Sequence, residues 1–114
     1  MLDETRIERL LMELRKAHKA LIDTAEAYEQ AKAELSNAET YALANHTFEG
    51  KNADARKLEA ASVLGRTESV FSAQKNHEAA DHNLSIAKMQ LEIAREAISL
   101  WRALAYQMQP NRDM

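Results

Sequence analysis

Two seven-residue ladders constrain this chain more than any other feature. The first runs Ile7, Leu14, Leu21, Tyr28, Leu35 and Ala42, with Leu10, Ala17, Thr24, Ala31, Ala38 and Asn45 set three residues after each member. The second runs Val70, His77, Leu84, Leu91, Ile98 and Ala105, with Ala73, Ala80, Ala87, Ala94, Trp101 and Met108 at the same offset. An a/d repeat of period 3.5 keeps one seam of a helix against a partner and winds the pair left-handedly. Two such ladders separated by a glycine-marked break predict an all-α chain: a long antiparallel helical hairpin, coiled-coil-like, with an Ala-rich seam.

The boundaries come from the same pattern. A first helix is expected from about residue 3 to 45, with Asp3 and Glu4 suited to its positive N-terminal end. Residues 46–50 lose the repeat. Gly50 is read as a left-handed residue that closes the helix, and Asn52 as the N-cap of the next one. A short helix is expected over 53–64, ended or bent by Gly65, within a tip spanning 46–66. The second long helix should run from about 67 to 109, stopped by Pro110, with 110–114 as a frayed tail. The whole is one domain, residues 1–114.

In an antiparallel pair an a position faces a d position. One register sets Leu14 opposite Trp101, Ala17 opposite Ile98, Leu21 opposite Ala94, Tyr28 opposite Ala87 and Ala38 opposite His77. Most of its layers match a large side chain with a small one, as close packing requires.

One hairpin does not consume all the apolar surface. The last helix carries a second stripe of Ile86, Met89, Ile93, Ala97, Leu100 and Leu104, and the first adds Leu2, Leu11 and Ile22 near its start. Apolar residues on two faces of a helix imply a second partner. Leu11, Ile86, Met89, Ile93, Leu100 and Leu104 are therefore the candidate partner-binding residues, and a homodimer forming a four-helix bundle is the expected assembly.

Charge adds a second candidate surface. The net charge of −3 gives no global mandate for nucleic-acid binding. Residues 23–49 are acidic, with Lys32 alone against Asp23, Glu26, Glu29, Glu34, Glu39 and Glu49, whereas residues 50–75 lean basic. Lys51, Arg56 and Lys57 surround a predicted helix N-terminus, whose free N–H groups attract anions, and Arg66 and Lys75 would extend the patch. These five are candidate anion or nucleic-acid contacts. The bland reading is capping chemistry with solvated cations, and Gly50-Lys51 lacks the rest of a P-loop.

Chemistry is poorly represented. In His77-Glu78-Ala79-Ala80-Asp81-His82, two i,i+4 pairs carry metal-ligand residue types, but they point about 100° apart on a helix and His77 belongs to the seam. No metal, no cofactor and no catalytic residue is expected. With zero cysteines there is no disulfide scaffold, thiolate zinc site or Cys nucleophile. Neither a secretory leader nor an apolar run near the ~20 residues that span a bilayer is present, so a cytoplasmic protein without membrane contact is expected. Trp101, on a seam position, is read as buried.

The turn segment Glu49-Gly50-Lys51-Asn52-Ala53-Asp54-Ala55-Arg56-Lys57 resembles a pattern of small phage and prophage helical-hairpin accessory proteins, roughly Gly-Lys-Asn-Ala/Glu-x-x-Arg-Lys-Ala between two long charged helices. Leu58 stands where that pattern has a small residue. The match covers nine residues, and the helical arms match in character only. The resemblance implies a phage origin, a site of action in the host cytosol and a non-catalytic accessory role among replication and recombination functions; it transfers no catalytic residue. The function expected is therefore a non-enzymatic protein–protein interaction module, a phage accessory factor or host-system inhibitor, whose partners are itself and an unidentified protein. The alternative is a nucleic-acid-associated factor that uses the basic tip.

Overall fold

Ala and Leu hold most ladder positions, with Glu, Lys and Arg common between them, and strong helix formers in an unbroken heptad pattern give two long helices. In the computed structural model, which describes residues 4–108, α1 is Glu4–Ala44, α2 is Ala53–Arg66 and α3 is Glu68–Gln107. No strand occurs among the described residues. The fold is the all-α helical hairpin with a short third helix that the ladders predict. The expected roles of Asp3, Gln109 and Pro110 and the tail 110–114 lie outside the described residues, as does Leu2.

Local hydrogen bonds explain where the helices stop. At the end of α1 the backbone N–H and side-chain amide of Asn45 both donate to the Tyr41 carbonyl, at 3.1 and 2.8 Å, and His46 N–H donates to Leu43 at 3.2 Å. The tightened last turn satisfies carbonyls that have no partner further along the helix. Asn52 begins α2 as expected: its backbone is extended, its side-chain oxygen accepts from Ala55 N–H at 2.8 Å, and its carbonyl accepts from Arg56 N–H at 3.0 Å.

Both glycines behave differently from expectation. No glycine among the described residues has a positive φ, so Gly50 does not close a helix by the left-handed route. Its role is close approach: a Cβ there would lie 2.9 Å from Arg56 N and 3.0 Å from Ala55 C, in the first turn of α2. Gly65 lies inside α2, which continues one residue further, to Arg66. The break is the single residue Thr67, whose ψ of 118° leaves the helical region. Its hydroxyl donates to the Val63 carbonyl at 2.6 Å, and its own carbonyl accepts from Phe71 N–H at 3.0 Å to start α3.

The chain forms two compact units, one combining residues up to Ala25 with those from Asn83 onward, the other Glu26–His82. In the first, Ala17, Ala87, Leu91 and Ile98 are buried, and Leu10, Leu14, Leu21 and Trp101 are half-buried. In the second, Ala31, Val63 and Val70 are buried, and Tyr28, Leu35, Ala38 and His77 are half-buried. All of these are ladder positions except Val63 of α2. The ladder ends Asn45 and Met108 are exposed.

The register departs from expectation by one heptad. In the second unit the rings of Tyr28 and His77 meet, with centroids 5.0 Å apart. In the expected register Tyr28 faced Ala87, ten residues or ~15 Å along the helix from His77. The contact instead sets Tyr28 level with Ala80, Ala31 with His77, Leu35 with Ala73 and Ala38 with Val70. In the first unit α1 residues Leu10 to Ala20 share one groove with α3 residues Gln90 to Ala97. That sets Leu14 level with Ala94, Ala17 with Leu91, Leu21 with Ala87 and Thr24 with Leu84. Each of these layers again matches large with small. Nearer the α1 start, Leu10 comes level with Ile98 and Ile7 with Trp101, and two large side chains in one layer require a wider helix spacing.

Candidate functional site

A groove of about 480 Å³ lies between α1 and α3, lined by Leu10, Ala17 and Ala20 on one side and Ile93, Ala94 and Ala97 on the other, with Glu13, Lys16 and Gln90 along its walls. Glu13 and Lys16 form an exposed ion pair at 3.7 Å. A second concavity, lined by Arg6, Leu10, Ala97, Leu100, Trp101 and Leu104, shares Leu10 and Ala97 with the first. Sharing these residues, the two form one trough with small residues on its floor, Ile93, Leu100 and Leu104 along the α3 side, and Arg6, Glu13, Lys16 and Gln90 at its polar edges.

Of the residues singled out from sequence, Ile93, Leu100 and Leu104 line this trough, with exposures of 59%, 62% and 42%. Ile86 is half-buried and Met89 exposed, and neither lines it. Leu11 sits at heptad position e, on the far side of the seam from the g positions Glu13, Ala20, Ala97 and Leu104 that form the trough. The structure does not bring Leu11 together with the α3 stripe. Trp101 is only half-buried, since one face lines the trough; its indole Nε1 is buried without a hydrogen-bond partner. Leu10, Ala17 and Ala20 were not singled out as partner-binding, although seam positions such as Leu10 and Ala17, and the g position Ala20 beside them, adjoin the surplus stripe where such a floor has to lie.

The basic candidates do not form one patch. Lys51, Arg56 and Lys57 cluster at the start of α2, where Phe48, Ala53 and Ala60 join Arg56 and Lys57 around a shallow pocket. Arg56 Nε donates to the Gly50 carbonyl at 3.2 Å and so helps to hold the turn. Arg66 lies ten residues further on, ~15 Å along α2. Lys75 is on α3, its ammonium 5.3 Å over the Phe71 ring.

The tip is organised by a carboxylate. Glu59 of α2 accepts hydrogen bonds from Glu49 N–H at 3.1 Å and Gly50 N–H at 3.0 Å, and its Oε2 pairs with His46 Nε2. His46 also packs edge-on against Phe48, with centroids 4.9 Å apart. The His46 hydrogen bond, opposed by partial burial and reinforced by the two backbone donors, holds the Glu59 carboxyl below the usual carboxylate range. Three donors converging on one anion fix the loop against α2. Sequence patterning carries no signal for this contact.

No group of three or more His, Cys, Asp or Glu that could hold a metal occurs among the described residues. His77 faces the seam with its Nε2 buried and unpartnered, while Glu78, Asp81 and His82 are exposed. None of the described helices is long and apolar enough to cross a membrane. No family model, curated protein or solved structure matches the chain.

Proposed function

We propose that this chain is a non-enzymatic protein–protein interaction module, a phage-encoded accessory factor or inhibitor of a host system acting in the host cytosol. The observation that carries the reading is the apolar trough of the first unit, where Ile93, Leu100 and Leu104 stand open to solvent around a small-residue floor. Contiguous exposed apolar surface on a folded chain marks an interaction site. The nine-residue turn resemblance supports the phage origin.

The test is affinity capture from a host-cell extract with the full chain as bait, comparing wild type with Leu104→Glu and with the exposed-surface control Ala33→Glu. Proteins retained by wild type and the control but lost by Leu104→Glu support the reading. Identical capture by all three refutes it.

A second reading is nucleic-acid association through the tip, favoured by exposed Phe48 beside Arg56 and Lys57, an aromatic next to cations. Binding of single-stranded or duplex DNA that weakens steeply with salt and is lost on charge reversal of Lys51, Arg56 and Lys57 would support it. The absence of any salt-dependent binding removes it.

A further inference from the structure

We infer that the trough is closed by a second copy of this chain, with α3 pairing antiparallel to α3 of the partner around a two-fold axis between Ile93 and Ala97. This rests on the trough being a docking surface and names its occupant. Besides the seam that faces α1, α3 carries a second ladder: Ile86, Gln90, Ile93, Ala97, Leu100 and Leu104, spaced four, three, four, three and four residues apart. That is the a/d spacing of a coiled coil on a second helix face. An odd number of such steps reads the same in both directions, so two antiparallel copies of α3 match it to itself.

Side-chain size selects that arrangement. Antiparallel pairing sets Ile86 against Leu104, Gln90 against Leu100 and Ile93 against Ala97, each layer occurring twice. The central layers then match large with small, as the intramolecular seam does. Parallel pairing would set Ala97 against Ala97 next to Ile93 against Ile93, leaving a hole beside a bulge, which close packing disfavours. One apolar residue or more occupies every antiparallel layer, and the one polar member, Gln90, meets Leu100 near the rim.

Exposure points the same way. Ile93 and Leu100, at 59% and 62%, are the most exposed aliphatics of α3, and Leu104 follows at 42%. All three lie on the second ladder, so pairing with a second copy takes out of water the apolar surface that one hairpin leaves open.

Purified full-length protein, with no extract, tests the proposal. Light scattering at tens of micromolar should give twice the 12.9 kDa chain mass. Ile93→Glu with Leu100→Glu should return the single-chain mass while far-UV dichroism stays helical. Because the chain has no cysteine, a single introduced thiol reports proximity without background. Exposed Glu96 flanks the axis, so Glu96→Cys should cross-link between copies with a short bismaleimide, whereas Arg102→Cys, on the opposite side of α3, should not. A monomeric wild type overturns the proposal, as does a dimer that cross-links through Arg102→Cys and not Glu96→Cys. A monomer that still captures a host protein through the trough leaves the interaction-module reading standing and removes only this one.

Discussion

Replacing each glycine with alanine should move stability in opposite directions, although a sequence reading treats both as turn residues. At Gly50 the added methyl would sit 2.9 Å from Arg56 N, 3.0 Å from Ala55 C and 3.1 Å from Ala55 Cβ. Two of those atoms are backbone in the first turn of α2 and cannot rotate away. Overpacking of this kind costs ~1–3 kcal/mol. The loss of glycine freedom in the unfolded chain returns ~0.4–1 kcal/mol, leaving a net cost centred on ~1.3 kcal/mol and at most ~2.6 kcal/mol. At Gly65 a Cβ meets nothing within 4 Å and the backbone is helical, so Gly65→Ala gains ~0.5–1 kcal/mol of helix propensity. For a chain of this size 1 kcal/mol corresponds to ~4–8 °C in Tm. Thermal unfolding monitored by far-UV dichroism should therefore place Gly65→Ala several degrees above wild type and Gly50→Ala several degrees below. Shifts of the same sign, or a Gly50→Ala protein as stable as wild type, would refute the close-approach account of Gly50.

The register is open to a double-mutant cycle. Tyr28→Ala and His77→Ala should couple by ~0.5–1.5 kcal/mol in urea unfolding, as touching rings do, whereas additive effects would restore the register one heptad away. Ala87, 2% exposed and level with Leu21, should tolerate enlargement poorly: Ala87→Leu should cost ~1–3 kcal/mol, and Ala33→Leu on the exposed face should be near neutral. Equal melting temperatures for those two variants would contradict the seam. Glu59 should titrate below the ordinary glutamate value of about 4.3, because its hydrogen bonds favour the ionised form. A depressed folded-state pKa means that its contribution to tip stability is complete above that ordinary value and is lost as pH falls through the folded one. The amide shifts of Glu49 and Gly50 in an NMR pH titration report the midpoint, and Glu59→Gln should abolish the transition; a midpoint at or above 4.3 would contradict the clamp.

Most of the secondary structure was legible in the chain. The ladders located both long helices and named the positions that became buried or half-buried, Ala17, Ala31, Ala87, Leu91 and Ile98 among them, because burial on a helix follows a period that the sequence displays. Asn52 announced its capping role for an equally local reason, its oxygen reaching an N–H three residues on. The surplus stripe on α3 was visible too, and Ile93, Ala97, Leu100 and Leu104 of it line the trough. Three features needed the tertiary structure. A heptad ladder looks much the same after a shift of seven residues, so most layers match large against small in two registers, and the Tyr28–His77 contact together with the groove between Leu10–Ala20 and Gln90–Ala97 separates them. Gly50 looked like a left-handed cap because its partner surface, the first turn of α2, is not encoded in its own neighbours. Glu59 looked like one more solvated acid, yet it gathers His46 and the amides of Glu49 and Gly50 across ten residues or so of intervening chain. Local periodicity fixes which face of a helix is buried; what that face is buried against is decided only when distant segments meet.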